Sequence, residues 1–172
     1  TEPFTYQSFQ WSQDSKYLVF PANFTQIYRR SGTSDYFVYS LADRTLTPAA
    51  KGARTAELSP DGRTLGLERG GDMYVYDLAS GKETRLTTDA HGTVYDGHFD
   101  WVYEEEFGLA QAWNWSPDDR YLAYWQLDEG PEPAVQFSDY SGVHQAWDTI
   151  RIPQPGDSYP TVRIGVSDMK IE

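Results

Sequence analysis

The apolar positions of this chain fall in short aromatic and β-branched runs, separated by polar clusters of Ser, Pro, Asp and Gly. Runs of this length between turn residues predict strands joined by tight turns, with helix as the minor element. Three segments share one template: Trp11-Ser12-Gln13-Asp14-Ser15-Lys16-Tyr17-Leu18, Leu58-Ser59-Pro60-Asp61-Gly62-Arg63-Thr64-Leu65 and Trp115-Ser116-Pro117-Asp118-Asp119-Arg120-Tyr121-Leu122. The Ser and Leu are six positions apart in each. Each reads as a hairpin: an apolar strand end, a turn where Pro presets φ and Asp or Gly accepts the bend, then a second strand.

A second template follows, in Asp35–Leu41, Asp72–Leu78 and, more loosely, Val162–Met169. Short closing strands at Thr45–Thr47 and Thr84–Thr87 complete four-stranded units, which is the period of a propeller blade. The expected architecture is all-β: a partial β-propeller of about three four-stranded blades, the last incomplete, with a short helix inserted between blades. An ordinary β-sandwich is the competing architecture, but it does not call for a turn motif repeated in register. The third copy stops at Glu172, where its closing strand is expected to begin. Three blades leave open edges, so residues 1–172 are expected to be a fragment of a larger propeller.

Comparing the copies locates the departures from the repeat. Leu46 lies 12 positions before Leu58, whereas Leu86 lies 29 before Trp115, which leaves 17 extra residues. Leu18 to Leu41 exceeds the matching Leu65 to Leu78 by ten, around Asn23 to Ser34. The span from Leu122 to Met169 is 34 longer than its counterpart in the second copy. Function is sought in such departures, because the strands themselves are committed to packing.

Composition narrows the partners. A formal charge of -12 argues against a sequence-independent grip on phosphates, so nucleic acid is not expected as a partner, and a negative field favours cationic ligands. There is no Cys, hence no disulfide and no thiolate metal site. No apolar run approaches the ~20 residues needed for a membrane segment. His91, His98 and His144 lack metal-site spacing, no Gly-x-Ser-x-Gly occurs, and neither Ser34 nor Ser158 has a nucleophile's strand-turn-helix context. No cofactor, metal ligand or catalytic residue is therefore assigned to this chain. Asn23-Phe24-Thr25 and Asn114-Trp115-Ser116 match the glycosylation pattern by chance.

The 17-residue insertion contains Asp100-Trp101-Val102-Tyr103-Glu104-Glu105-Glu106-Phe107. Asp100 is a candidate N-cap, and Tyr103, Phe107 and Ala110 at i, i+4 and i+7 predict one apolar helix face. Glu105 and Glu106 then leave from the opposite face, and an ammonium between them would cancel their repulsion. Acidic residues also favour the first turns of a helix because they complement its dipole, and the residues alone do not separate these two readings. Neighbouring carboxylates on one short helix do not readily face each other across a glycosidic bond, which sets a glycosidase aside.

With Trp113-Asn114-Trp115-Ser116-Pro117 and Tyr121-Leu122-Ala123-Tyr124, this acidic stretch resembles the N-terminal β-propeller of the dipeptidyl peptidase IV family of serine peptidases. The resemblance runs from about Trp11 to Met169 and is densest over Asp96 to Val166. It implies that Glu105 and Glu106 hold a substrate's free α-ammonium, with Asp100, Trp101, Tyr103 and Glu104 supporting them. It implies that Arg29, in Tyr28-Arg29-Arg30-Ser31 of the ten-residue insertion, contacts a carbonyl of the bound peptide; a slip of one places Arg30 there. It further implies that the segment from Pro131 to Pro160, with Tyr140, Trp147, Ile150 and Ile152 as apolar side chains, is an arm that takes part in homodimer contact. A loop folded back on its own propeller is the alternative for that segment.

The implied parent is a serine exopeptidase that releases Xaa-Pro or Xaa-Ala dipeptides from peptide N-termini. Its Ser-Asp-His triad belongs to a C-terminal α/β-hydrolase domain absent from these residues, so the chain alone is expected to be inactive. Its peptide partners carry a free N-terminus, and a periplasmic or extracellular location goes with the resemblance. A non-catalytic interaction propeller, or an unrelated scaffold or sugar-binding propeller, remains the alternative.

Overall fold

The computed structural model describes residues 3–169. Strands β1 (Gln10–Trp11), β2 (Tyr17–Gln26), β3 (Gly32–Ser40) and β4 (Thr45–Ala53) form one antiparallel sheet in chain order. β5 (Thr55–Leu58), β6 (Thr64–Arg69), β7 (Asp72–Asp77) and β8 (Glu83–Arg85) form a second with the same order. The third sheet is built on β11 (Tyr121–Asp128), flanked by β14 (Thr161–Asp168) along its whole length and by β9 (Val94–Asp96) and β10 (Trp113–Trp115) on the other edge. These are the blades of a partial β-propeller, as the repeat predicts. The point at which the closing strand of the third copy is expected to begin, Glu172, lies outside the described residues.

The shared turn template has a physical basis in one side chain pair. Ser12, Ser59 and Ser116 each donate a hydroxyl hydrogen bond to the Asp two positions on, at 2.8, 2.7 and 2.6 Å. Each hydroxyl oxygen also accepts the backbone N–H that starts the next strand, from Tyr17, Thr64 and Tyr121 at 2.9, 3.1 and 2.8 Å. The serine thereby fixes the turn and the register of the strand that follows it.

Blades stack through their faces. Val19, Tyr36, Val38 and Ala53 of the first blade are buried against Ala56, Leu58, Leu65 and Leu67 of the second. Met73 and Val75 of the second are buried against Trp113 and Leu122 of the third. Trp113 is 1% exposed, and its indole N–H donates to Thr55 Oγ1 at 2.8 Å, while the Trp115 indole donates to the Glu57 carbonyl at 3.2 Å. Gly66 leaves room for both rings, since a Cβ there would sit 2.9 Å from each. These indoles bury area and satisfy their polar edge across the blade boundary.

Two of the three departures from the repeat, the ten-residue one and the longest, add strand pairing. The ten-residue insertion is a lengthened β2–β3 hairpin with a bulge between Ala22 and Thr25, and Asn23 at φ 55° donates to Asp35 at 2.9 Å. The long third insertion folds as a separate hairpin of β12 (Ala134–Asp139) and β13 (Ala146–Arg151). Tyr140 and Trp147 are exposed on it, at 73% and 58%. Ile150 and Ile152, the other two apolar side chains of the implied arm, are half-buried and so less available to a partner. They sit at the base of the hairpin, where Ile152 N–H donates to the Pro133 carbonyl at 3.3 Å and Arg151 donates to the Glu132 carbonyl at 2.5 Å.

Candidate functional site

The acidic insertion interrupts the first strand of the third blade. β9 pairs with β11 up to Asp96↔Gln126, and β10 resumes at Trp113↔Tyr124, so the chain from 97 to 112 leaves the sheet opposite Trp125. Backbone bonds close the gap: Gly97 N–H to the Trp125 carbonyl at 2.9 Å, Trp125 N–H to the Ala112 carbonyl at 2.8 Å, and Ala112 N–H to the Gly97 carbonyl at 3.1 Å. Gly97 has φ 83° and packs on Met73 and Glu68, leaving no space for a Cβ. A left-handed, close-packed glycine is what lets the chain turn out of the sheet here.

The excursion carries the helix α1 (Trp101–Phe107). Asp100 caps its start, accepting the Tyr103 N–H at 2.8 Å. Gly108, at φ 70°, ends it by returning its N–H to the Glu104 carbonyl. Tyr103 anchors the helix by stacking on Phe99 at 4.8 Å and meeting the Trp125 ring edge-on at 5.8 Å. Trp101 is half-buried. The predicted apolar face is corrected in two respects: Phe107 is 67% exposed, and Ala110 lies beyond the Gly108 cap, off the helix. The side chain the helix buries is Glu104, at 0% exposure, because a donor from another blade meets it there.

That donor is the Arg30 N–H, 2.6 Å from Glu104 Oε1. The neighbouring Arg29 places its Nε 3.2 Å from Glu105 Oε2, with the Glu105 side chain 14% exposed. Glu106 is exposed. The three consecutive glutamates therefore have three environments: one buried on a backbone amide, one shielded beside a guanidinium, one open to solvent. Arg29 and Glu105 meet at the helix, with Glu106 the next residue along and open to solvent, while the Arg30 guanidinium lies toward Gly108 at its far end. Such a set can hold a cation between carboxylates and offer a guanidinium fork to a nearby carbonyl.

Beneath the helix is a buried polar layer that the sequence did not single out. Tyr95 donates to Glu129 at 2.8 Å, Arg54 donates to Ser31 Oγ at 3.2 Å and lies over the Tyr28 ring, and Arg151 bonds the carbonyls of Glu129 and Glu132. Burial raises the carboxyl pKa values of Asp100 and Glu129. Burial, then the charges of Asp100 and Glu129, push Glu132 up to about 7, and neither of its carboxyl oxygens has a hydrogen-bond partner. His98 stacks on Tyr95 at 4.0 Å, and burial lowers its pKa, which keeps the imidazole neutral. Nothing local marks Glu129-Gly130-Pro131-Glu132 as part of this layer; the pairing of β9 with β11 brings it there.

Comparison with known proteins agrees with this architecture. Residues 12–172 match the family model described as the dipeptidyl peptidase IV (DPP IV) N-terminal region. The chain is 33% identical over 167 residues to dipeptidyl peptidase 4 of Sus scrofa, covering 92% of this chain and 22% of that protein. It is 30% identical over 172 residues to dipeptidyl peptidase 4 of Trichophyton rubrum, covering 94% and 22%. The fold is that of the crystal structure of Porphyromonas gingivalis dipeptidyl peptidase 4, with a TM-score of 0.87 at 24% identity, over 98% of this chain and 26% of that one. The chain thus spans about a fifth of the length of the curated relatives it matches.

Proposed function

This chain belongs to the dipeptidyl peptidase IV family, and from that premise we propose that it is the substrate-recognition part of a serine exopeptidase releasing Xaa-Pro or Xaa-Ala dipeptides from peptide N-termini. Glu105 and Glu106 take the free α-ammonium, and Arg29 donates to a carbonyl of the bound peptide. The observation that carries the reading is the approach of Arg29 to Glu105 at 3.2 Å from a loop 76 positions earlier in the chain. It supports a site assembled from two blades rather than a helix whose acids serve only its dipole.

In this reading the Ser, Asp and His that break the peptide bond belong to an α/β-hydrolase domain outside these residues, and the propeller sets the distance from amine to scissile bond. An acylated N-terminus brings no positive charge, so it forgoes the charge-assisted bonds that a free ammonium makes to Glu105 and Glu106. The exposed Tyr140 and Trp147 of the β12–β13 hairpin make the arm of a homodimer contact.

The test compares free and N-acetylated Ala-Pro chromogenic substrates in the full-length protein. The parent is expected to favour the free amine by at least about 30-fold, the equivalent of about 2 kcal/mol of lost charge pairing. Glu105→Ala and Glu106→Ala should each narrow that ratio. An unchanged ratio in both variants overturns the assignment.

A further inference from the structure

The loop that presents Arg29 is held by two kinds of bond. Within it, Ile27 and Tyr28 N–H groups donate to the Ser31 carbonyl at 2.9 and 3.2 Å, and Gln26 Nε2 donates to the Tyr28 carbonyl at 3.0 Å. These set the shape of the turn but not its position over the helix. The Arg30 N–H belongs to the peptide unit that follows Arg29, and it donates to Glu104 Oε1 at 2.6 Å across two blades. Adjacent helix residues thus hold adjacent parts of one loop residue: Glu104 the peptide, Glu105 the guanidinium.

We propose that Glu104 is a positioning residue that locks the register of the 27–31 loop, so that Arg29 rather than Arg30 faces the Glu105–Glu106 pair. This rests on the substrate reading above for its kinetic consequence, though not for its structural one. The Arg29 side chain is 75% exposed, and a long exposed side chain loses much rotamer entropy when it is aimed. Fixing the backbone on which it stands confines that loss. A one-residue slip would bring Arg30 opposite Glu105 and carry Arg29 off the site; the Arg30 N–H bond blocks it. The Glu104 carboxyl is buried at 0% exposure with its second oxygen unpartnered, an arrangement that stability alone does not favour.

The test uses three variants of the full-length protein: Glu104→Ala, Glu104→Gln and Arg29→Ala. Hydrogen exchange resolved at the Arg30 amide is expected to show protection in the parent, loss of at least about tenfold of it in Glu104→Ala, and retention in Glu104→Gln, whose side-chain oxygen still accepts. Protection retained in Glu104→Ala overturns the proposal, and this arm stands even if no dipeptide is released. On Xaa-Pro substrates, Glu104→Ala should raise KM about tenfold with kcat within about twofold, and add nothing in an Arg29→Ala background. Independent, multiplying effects of the two substitutions overturn it.

Discussion

The second and third blades begin with the same type of strand and use it differently. β5 of the second blade pairs with β6 without interruption, from Thr55↔Glu68 to Leu58↔Leu65, and its buried Ala56 and Leu58 serve packing alone. The corresponding strand of the third blade is broken at Gly97 and restored at Ala112, and the residues between them carry α1 with its glutamates. In the first case every inward position is apolar; in the second the inward positions include Asp96, Asp100 and Glu104, all buried. A blade tolerates the second arrangement because the break costs no backbone pairing opposite Trp125, and because the neighbouring interface remains apolar through Trp113 and Leu122. Scaffold and site are therefore separable within one sheet.

Substitutions can break that separation or sharpen it. The largest effect is expected on the scaffold side, at Trp113→Ala. Losing a 1%-exposed indole and its bond to Thr55 should destabilise the propeller by about 3–5 kcal/mol, measured by urea denaturation followed by far-UV circular dichroism. If the free-amine preference survives in the fraction that folds, scaffold and site are separate; its loss would join them.

Gly97→Ala strikes the hinge between the two. A Cβ at φ 83° against Met73 should cost about 2–4 kcal/mol through backbone strain and overpacking. Because Gly97 also closes the base of the excursion, exchange at the Tyr103 and Arg30 amides should rise more than exchange in β5 and β6. Uniform exchange across both blades would show that the hinge belongs to the scaffold.

The smallest effect concerns the polar layer under the helix. Glu132 titrates at about 7 in the fold against an ordinary 4.5, so its folded pKa is raised and its neutral form is the one the fold favours. That contribution is full below about pH 4.5, declines as the pH rises, and is gone above about 7. Glu132→Gln should therefore be on the order of 1–2 kcal/mol more stable than the parent at pH 8 and about equal to it near pH 4. A stability difference that does not change with pH would remove Glu132 from the layer.

What could be read from the residues follows from how local each interaction is. The Ser-x-Asp turn closes within five positions, from Ser59 to Thr64, so its repeat was legible and with it the blades. The Asp100 cap is equally local. From sequence Glu104 is only a supporting neighbour of the pair, because the donor that buries it, Arg30 N–H, lies 74 positions away in another blade. The apolar spacing of Tyr103, Phe107 and Ala110 misled for a related reason: Gly108 stops the helix before the third position, and Phe107 is left in solvent. Ile150 and Ile152 are half-buried at the base of the hairpin, where Arg151 bonds the carbonyls of Glu129 and Glu132, contacts that no periodicity in β13 announces.

The break in the third blade's first strand has one more consequence. Its two ends, Gly97 and Ala112, are hydrogen-bonded to each other and to the same residue, Trp125, so the intervening segment enters and leaves the sheet at a single point. A segment mounted in this way is an interchangeable cassette. Its backbone continuity with the sheet rests on Gly97, Ala112 and Trp125 rather than on the length or sequence of what lies between them.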